Sequence, residues 1–197
     1  METSPKLSRR KMVKRSILGA IGLGVLYSSW EVFSIYKTPD LSEINNHAKL
    51  IDALTETIIP RTETPGASDV EAYRFVIYSL KTNVSKKSQN SFLEGLSEVR
   101  EESTSKYKKN FEDCTADERA AILLPISMDG NRFSGLPGKI QNKILGEPFF
   151  SILKRLTIQA YCTSELGATQ ALVYDPVPME YKSCIPLREN QKSWATK

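Results

Sequence analysis

The sequence has little of the material from which catalytic and metal centres are built. Its 197 residues include one histidine, His47, and three cysteines, which match no recognised zinc-ligand spacing. It contains no Cys-x-x-Cys-His haem attachment motif, no Walker-type phosphate loop and no Gly-x-Ser-x-Gly nucleophile elbow. A lone histidine beside an apolar helix face is more often structural than catalytic. The sequence therefore predicts no catalytic, cofactor-binding or metal-binding residue in this chain.

The chain has no net positive charge once the first thirty residues are set aside. Residues 1–30 hold six basic side chains against one acidic, a net of +5, whereas the rest of the chain holds 21 basic against 22 acidic. A nucleic-acid binder needs basic charge spread over its folded surface, so this distribution argues against a nucleic-acid partner. A hydrophobic fraction of 40% and a charged fraction of 25% are those of an ordinary globular protein.

The first thirty residues have the layout of an export signal. A basic segment ends at Arg15, and an apolar, glycine-containing run follows from Ile17 to Trp30. As a helix this run would span about 21 Å, which is short of the roughly 30 Å hydrocarbon core and favours a signal over a spanning helix.

The basic segment resembles a twin-arginine signal: Ser or Thr, two arginines, any residue, two apolar residues and often lysine. The matching positions are Ser8, Arg9, Arg10, Met12, Val13 and Lys14. The resemblance implies a periplasmic protein that crosses the bacterial inner membrane already folded. The alternative is a general secretory signal that happens to contain Arg-Arg. Cleavage of the leader, or its retention as an inner-membrane anchor, is left open because Ser28, Ser29 and Trp30 form a poor cleavage site.

The body is predicted to be all-α. Apolar residues recur at three- and four-residue steps from Leu41 to Ile58, with Asp40 or Ser42 placed as the cap and Pro60 as the end. No segment alternates cleanly at period two. The predicted layout is a signal or anchor at 1–36, a single helical domain at 37–187 and a polar tail at 188–197.

Further helices are indicated along the body. Capping boxes are predicted at Ser68–Glu71 and at Thr115–Glu118. The polar segment 86–109 predicts a largely solvated helix that frays at residues 103–105.

The strongest pattern, 147–165, is apolar on more than one face and predicts a long core helix, with Gly167 as its left-handed cap. The prolines beyond residue 168 then predict an extended arm.

Two stretches of the body carry a family resemblance. The first is a helix end at 54–59 that continues into Pro60 and a Pro65-Gly66-Ala67 turn. The second contains the block Tyr161-x-Thr163-Ser164-Glu165-x-Gly167, followed by Tyr174, Pro178, Tyr181 and Cys184. Together they resemble the gluconate 2-dehydrogenase subunit 3 family, although Met179 stands where that family commonly has glycine.

The resemblance implies a non-catalytic small subunit of a membrane-associated dehydrogenase of sugars or sugar acids. In that family the small subunit has no cofactor of its own and binds a flavoprotein large subunit of the glucose–methanol–choline class, which carries FAD. A cytochrome c subunit with haem c often completes the complex. The large subunit commonly lacks an export signal, so the small subunit would escort it through the twin-arginine translocase and help it mature.

The partner-binding surface is predicted to combine the turn, the end of the core helix and the arm. Its residues are Pro60, Pro65, Gly66, Tyr161, Thr163, Ser164, Glu165, Gly167, Tyr174, Pro178 and Tyr181. The alternative for Thr163, Ser164 and Glu165 is a polar helix end without a partner. For Tyr174 and Tyr181 the alternative is burial in the chain's own core.

The three cysteines would face an oxidising compartment after export. A disulfide between Cys162 and Cys184 would join the arm to the core helix, leaving Cys114 for burial or an intermolecular bond. The alternative, three reduced thiols, is left open.

Two other functions are compatible with the sequence. One is a stand-alone, membrane-anchored periplasmic binding module made of helices. The other is an enzyme that uses His47 together with a nearby carboxylate.

Overall fold

The computed structural model describes most of the body of the chain. The described residues are 38–130, 146–177, 184, 186–187 and 189–195, with the side chains of 129 and 130 excepted. Two compact units are distinguished, Met1–Thr38 and Pro39–Lys197, and every element below belongs to the second. The predicted export signal, Pro178 and Tyr181 lie outside the described residues.

Five α-helices form the described body. They are α1 (Ala48–Ile58), α2 (Ala72–Thr82), α3 (Lys86–Tyr107), α4 (Ala116–Gly130) and α5 (Phe149–Thr163). Short 3₁₀ turns, Ile44–His47 and Phe111–Asp113, precede α1 and α4, and a π-helical turn, Gly167–Ala171, follows α5. The described ranges contain no strand, only an isolated parallel bridge between Val173 and Trp194. The prediction of an all-α fold is confirmed.

Helix α5 is the centre of the core, as the sequence predicts. It packs against each of the other four helices, and Ile152 and Leu153 are fully buried. The Phe149 ring lies against Phe92 of α3, with 5.1 Å between ring centroids. Gly95 permits this approach because a Cβ at that position would overlap the Phe149 ring.

One of the two predicted capping boxes forms. The Thr115 backbone N–H donates to the Glu118 carboxylate at 2.8 Å, and the Glu118 N–H donates to the Thr115 hydroxyl at 3.3 Å. The Ser68–Glu71 box is wrong: α2 begins at Ala72, and Glu71 is in the left-handed region at φ 50°. Its carboxylate pairs with Arg74 at 2.8 Å.

Two further predictions about helix ends are wrong. The cap at Asp40 or Ser42 does not form, because Asp40 accepts hydrogen bonds from the Ser42 N–H and hydroxyl while a 3₁₀ turn leads into α1. Helix α3 does not fray at 103–105. The buried Ser103 hydroxyl donates to the Arg100 carbonyl at 2.9 Å, and the helix continues to Tyr107, where Lys108, left-handed at φ 56°, ends it.

The prediction for Gly167 is also wrong. Helix α5 ends at Thr163 because Ser164 is extended, and Gly167 opens the π-helical turn instead of capping α5. Residues 168–171 are therefore helical, whereas the sequence predicts an extended arm from residue 168, and the chain is extended at Leu172. Beyond the turn, the Val173 N–H donates to the Ser193 carbonyl at 2.9 Å, and the Ala195 N–H donates to the Val173 carbonyl at 2.8 Å. The C-terminal tail thus pairs with the segment after α5.

None of the helices in the described ranges combines the length and the apolar character that a membrane crossing requires.

Candidate functional site

The turn between α1 and α2 is held by one carboxylate of α1. Glu56 Oε1 accepts the backbone N–H of Arg61, and Oε2 accepts that of Ser68, both at 2.8 Å. The Ala67 N–H also donates to the Ile59 carbonyl at 2.9 Å. Hydrogen bonds to an ionised acceptor are the stronger kind, so both ends of the turn are fixed on the end of α1.

Gly66 is required in this turn by the closeness of its neighbours. A Cβ at Gly66 would lie 2.5 Å from Glu56 Oε1 and 2.7 Å from the Arg61 nitrogen. The Gly66 N–H donates to Asp69 Oδ2 at 2.8 Å, and Asp69 also pairs with Arg61 Nε at 3.3 Å. A larger residue would break the contacts that shape the turn.

Tyr161 connects the end of α5 to this turn. Its hydroxyl donates to the Pro65 carbonyl at 2.6 Å, and the side chain is only 6% exposed. Beside it, Ala160 forms a small apolar cluster with Ala67 and Ala72. The two stretches that carry the family resemblance, far apart in sequence, therefore meet in space.

The block after Tyr161 folds onto its own backbone. The Ser164 hydroxyl donates to the Tyr161 carbonyl at 2.7 Å and accepts the Gly167 N–H at 3.0 Å. A Cβ at Gly167 would overlap the Tyr161 carbonyl oxygen. The Thr163 hydroxyl donates to the Gln159 carbonyl at 2.7 Å. Ser164 and Gly167 thus redirect the chain at the end of α5. The hydroxyls of Thr163 and Ser164 are both engaged with nearby backbone carbonyls.

Large apolar side chains are exposed next to this folded-back block. The exposed fractions are 41% for Ile158, 36% for Leu166 and 50% for Tyr174. Glu165 and Pro60 are exposed as well. Tyr161 and Gly66 are buried, so they can shape a partner surface but cannot form its outer face. Partner binding by the predicted residues stays a prediction.

Sequence reasoning missed Glu56 and Asp69, which hold the turn. The available signal was an acidic side chain four residues before Pro60, at the end of an apolar helix, and another three residues after Gly66. Neither spacing belongs to a familiar motif, so only the structure shows what these carboxylates do.

The three cysteines are free thiols. Cys114 is buried, Cys162 is half-buried and Cys184 is exposed. Burial raises the pKa of the Cys114 thiol, which donates to the Asn110 carbonyl at 3.4 Å. The structure therefore has the reduced form, and a Cys162–Cys184 disulfide in the exported protein stays a prediction.

His47 contacts a guanidinium. Its Nδ1 lies 3.3 Å from Arg100 Nη2, and because a guanidinium only donates, Nδ1 accepts this hydrogen bond. Partial burial and the positive charge of Arg100 lower the pKa of His47 and favour the neutral ring. In the part of the chain that the structure describes, no three His, Cys, Asp or Glu side chains are grouped as metal ligands.

Comparison with known proteins assigns the chain to a family. The family model for gluconate 2-dehydrogenase subunit 3 matches residues 45–179, about two thirds of the chain, including the turn and the end of α5. No curated protein and no solved structure gives a match. The match over most of the chain shows that it belongs to the gluconate 2-dehydrogenase subunit 3 family and is an accessory subunit of the type found in oxidoreductase complexes.

Proposed function

We propose that this chain is the non-catalytic small subunit of a flavin-dependent dehydrogenase of sugars or sugar acids. Its direct partner is a large subunit of the glucose–methanol–choline class, which holds the FAD. The observation that carries the proposal is the family match over residues 45–179. A cytochrome c subunit, with its own haem c, would be a third component.

The geometry of the turn supports a role in binding a large partner. Glu56, Tyr161 and Ser164 fix the backbone of the turn and of the end of α5, where Ile158 and Leu166 are exposed. Binding to an ordered surface loses less conformational entropy than binding to a flexible loop. A surface with exposed apolar side chains on a rigid backbone suits stable association between subunits.

The leader supports a role in export. Residues 8–14 resemble a twin-arginine signal, and that route carries folded proteins. The small subunit would bind the folded flavoprotein in the cytoplasm and bring it through the translocase. It would then stabilise the flavoprotein in the periplasm, with the leader either cut or kept as an anchor.

A pull-down from solubilised membranes tests the subunit role. Affinity-tagged full-length chain is expected to bring down one large polypeptide with the visible absorption spectrum of oxidised flavin, since the partner carries the chromophore. The matched control is the same chain with Tyr161→Ala, which loses the contact between α5 and the turn. Recovery of the wild-type chain with no flavoprotein would contradict the proposal and favour a stand-alone membrane-anchored binding module.

A further inference from the structure

A groove of about 420 Å³ lies between the 3₁₀ turn Ile44–His47 and helix α2. We call its apolar and aromatic lining the floor (Ala48, Tyr73, Ile77 and Tyr78) and its polar lining the rim (Asn45, Arg74 and Lys81). Helix α2, which contributes most of these residues, begins directly after the turn that Glu56 holds.

The floor of the groove has the composition of a binding hot spot. Ile77 is 9% exposed and belongs to the core, whereas the Tyr78 side chain beside it is 62% exposed. Tyr73 is half-buried, and the guanidinium of Arg74 lies 5.8 Å from the centre of its ring. Tyrosine and arginine are enriched among residues that dominate binding energies, because they bury a large area at little entropic cost.

The rim of the groove supplies hydrogen-bond donors and positive charge. Lys81 Nζ donates to Asn45 Oδ1 at 3.2 Å, and none of the ion pairs of the described residues involves Lys81. Arg74 pairs with Glu71 at 2.8 Å, so its charge is offset by that carboxylate. No carboxylate lines this groove among the described residues. Lys81 is therefore the rim residue whose charge complements a negatively charged ligand.

A second groove, of about 560 Å³, lies along α3 and differs in its charge. His47, Arg100 and Lys108 line it together with a carboxylate, Glu101. Part of the hydrogen-bonding capacity of Arg100 is used by His47 at 3.3 Å. The α3 groove therefore has an acidic side chain among its lining residues, whereas the described lining of the α2 groove has none.

We propose that the α2 groove binds an acidic segment of the large partner subunit. An apolar or aromatic side chain of that segment packs against Tyr73, Ile77 and Tyr78, and a carboxylate reaches Lys81. The inference rests on the proposed function, because the occupant is the flavoprotein subunit. Beyond the subunit role, the proposal names the groove that contacts the flavoprotein and the acidic and apolar groups that bind there.

Subunit exchange in the purified complex measures this contact. A complex carrying fluorescently labelled full-length small subunit is mixed with excess unlabelled subunit, and the loss of label is followed. Tyr78→Ala is expected to speed dissociation about thirty-fold, the effect of removing a hot-spot side chain. Lys81→Glu is expected to speed dissociation to a similar extent, because it places a carboxylate next to the acidic segment of the partner. This effect is expected to be smaller at high salt, which screens the repulsion.

Matched controls are Leu124→Ala and Arg100→Glu. Leu124 is 56% exposed on α4, and Arg100 lies in the α3 groove. Both control variants are expected to exchange at the wild-type rate, and thermal unfolding checks that all four variants are folded.

The outcomes separate this proposal from the proposed function. Wild-type exchange rates for both Tyr78→Ala and Lys81→Glu would overturn the groove proposal and leave the subunit role standing. Recovery of no flavoprotein with the wild-type chain would overturn the proposed function and, with it, the named occupant. Loss of self-association in Tyr78→Ala, with exchange unchanged, would assign the groove to a second copy of this chain.

Discussion

Single side chains hold the candidate site together. Tyr161 fastens α5 to the turn, and Gly66 leaves room for the Glu56 carboxylate. Outside the site, His47 accepts a hydrogen bond from Arg100. The Tyr161 and His47 contacts join residues far apart in sequence. The contact at Gly66 leaves almost no free space. Each therefore predicts a measurable effect of one substitution.

Tyr161→Phe removes one hydroxyl and keeps the buried ring. The Pro65 carbonyl then loses its donor at 2.6 Å, and we expect a loss of about 1 kcal/mol in the free energy of unfolding. For a protein of this size that corresponds to a melting temperature lower by about 2–4 °C. Tyr174→Phe is the control, because Tyr174 is 50% exposed. Equal melting temperatures for the two variants would contradict the role of the Tyr161 hydroxyl.

Gly66→Ala adds a methyl group where there is no room. Its Cβ would lie 2.5 Å from Glu56 Oε1, so the turn has to move and its charged hydrogen bonds weaken. We expect a loss of about 2 kcal/mol or more in the free energy of unfolding, measured in urea. Thr62→Ala, at an exposed position of the same turn, is expected to change it by less than about 0.5 kcal/mol. A stable Gly66→Ala variant would show that Glu56 does not constrain the turn.

His47 predicts a dependence of stability on pH. Its pKa is lowered from 6.5 by burial and by Arg100, although Glu43 and Glu112 oppose this. The unfolded chain therefore takes up this proton at a higher pH than the native chain does. Stability falls as the pH drops below about 6.5 and levels off below the native pKa.

His47→Gln removes this titration. The free energy of unfolding of the variant, measured by urea unfolding between about pH 5 and about pH 7.5, is expected to vary less with pH than that of the wild type. If the free energy of unfolding depended on pH in the same way in the variant and the wild type, the His47–Arg100 contact would not form in solution.

Helix ends show where local sequence decides the structure and where it does not. Ser68–Glu71 and Thr115–Glu118 have the same spacing, yet only the second forms a capping box. The Ser68 N–H is taken by Glu56, twelve residues earlier in the chain, and Glu71 adopts a left-handed conformation. A distant carboxylate overrides the local signal at Ser68, and this competition cannot be seen in the spacing.

The α4 cap predicts a measurable loss of stability. Thr115→Ala removes the hydroxyl that accepts the Glu118 N–H, and we expect a loss of about 1 kcal/mol, seen as a lower melting temperature. The control is Ser105→Ala, which changes an exposed hydroxyl on α3 and is expected to have little effect. A Thr115→Ala variant as stable as the wild type would mean that the box does not stabilise α4.

The fold of the whole molecule was largely predictable, and the candidate site was predictable in part. The apolar pattern of 147–165 correctly predicts a central helix, because burial on several faces leaves a direct trace in the sequence. The contact between Tyr161 and Pro65 spans 96 residues, and periodicity carries no information about it. The sequence predicts a left-handed cap at Gly167, whereas the missing side chain of Gly167 permits close packing on the Tyr161 carbonyl.

In the proposed complex, one leader serves two polypeptides. The paired arginines Arg9 and Arg10, rather than the net charge of residues 1–30, would direct a nearly neutral body and its bound flavoprotein to the same translocase. If so, the location of the flavoprotein depends on two arginines of a different chain.

The most direct test replaces Arg9 and Arg10 by lysine and measures flavoprotein in the periplasm. If the small subunit escorts the flavoprotein, periplasmic flavin absorbance and dehydrogenase activity disappear and the folded flavoprotein accumulates in the cytoplasm. The control is a single Lys6→Arg change, which keeps the leader's charge and leaves both arginines in place, and it is expected to leave export unchanged. Normal export of the flavoprotein with both arginines replaced would overturn the escort role.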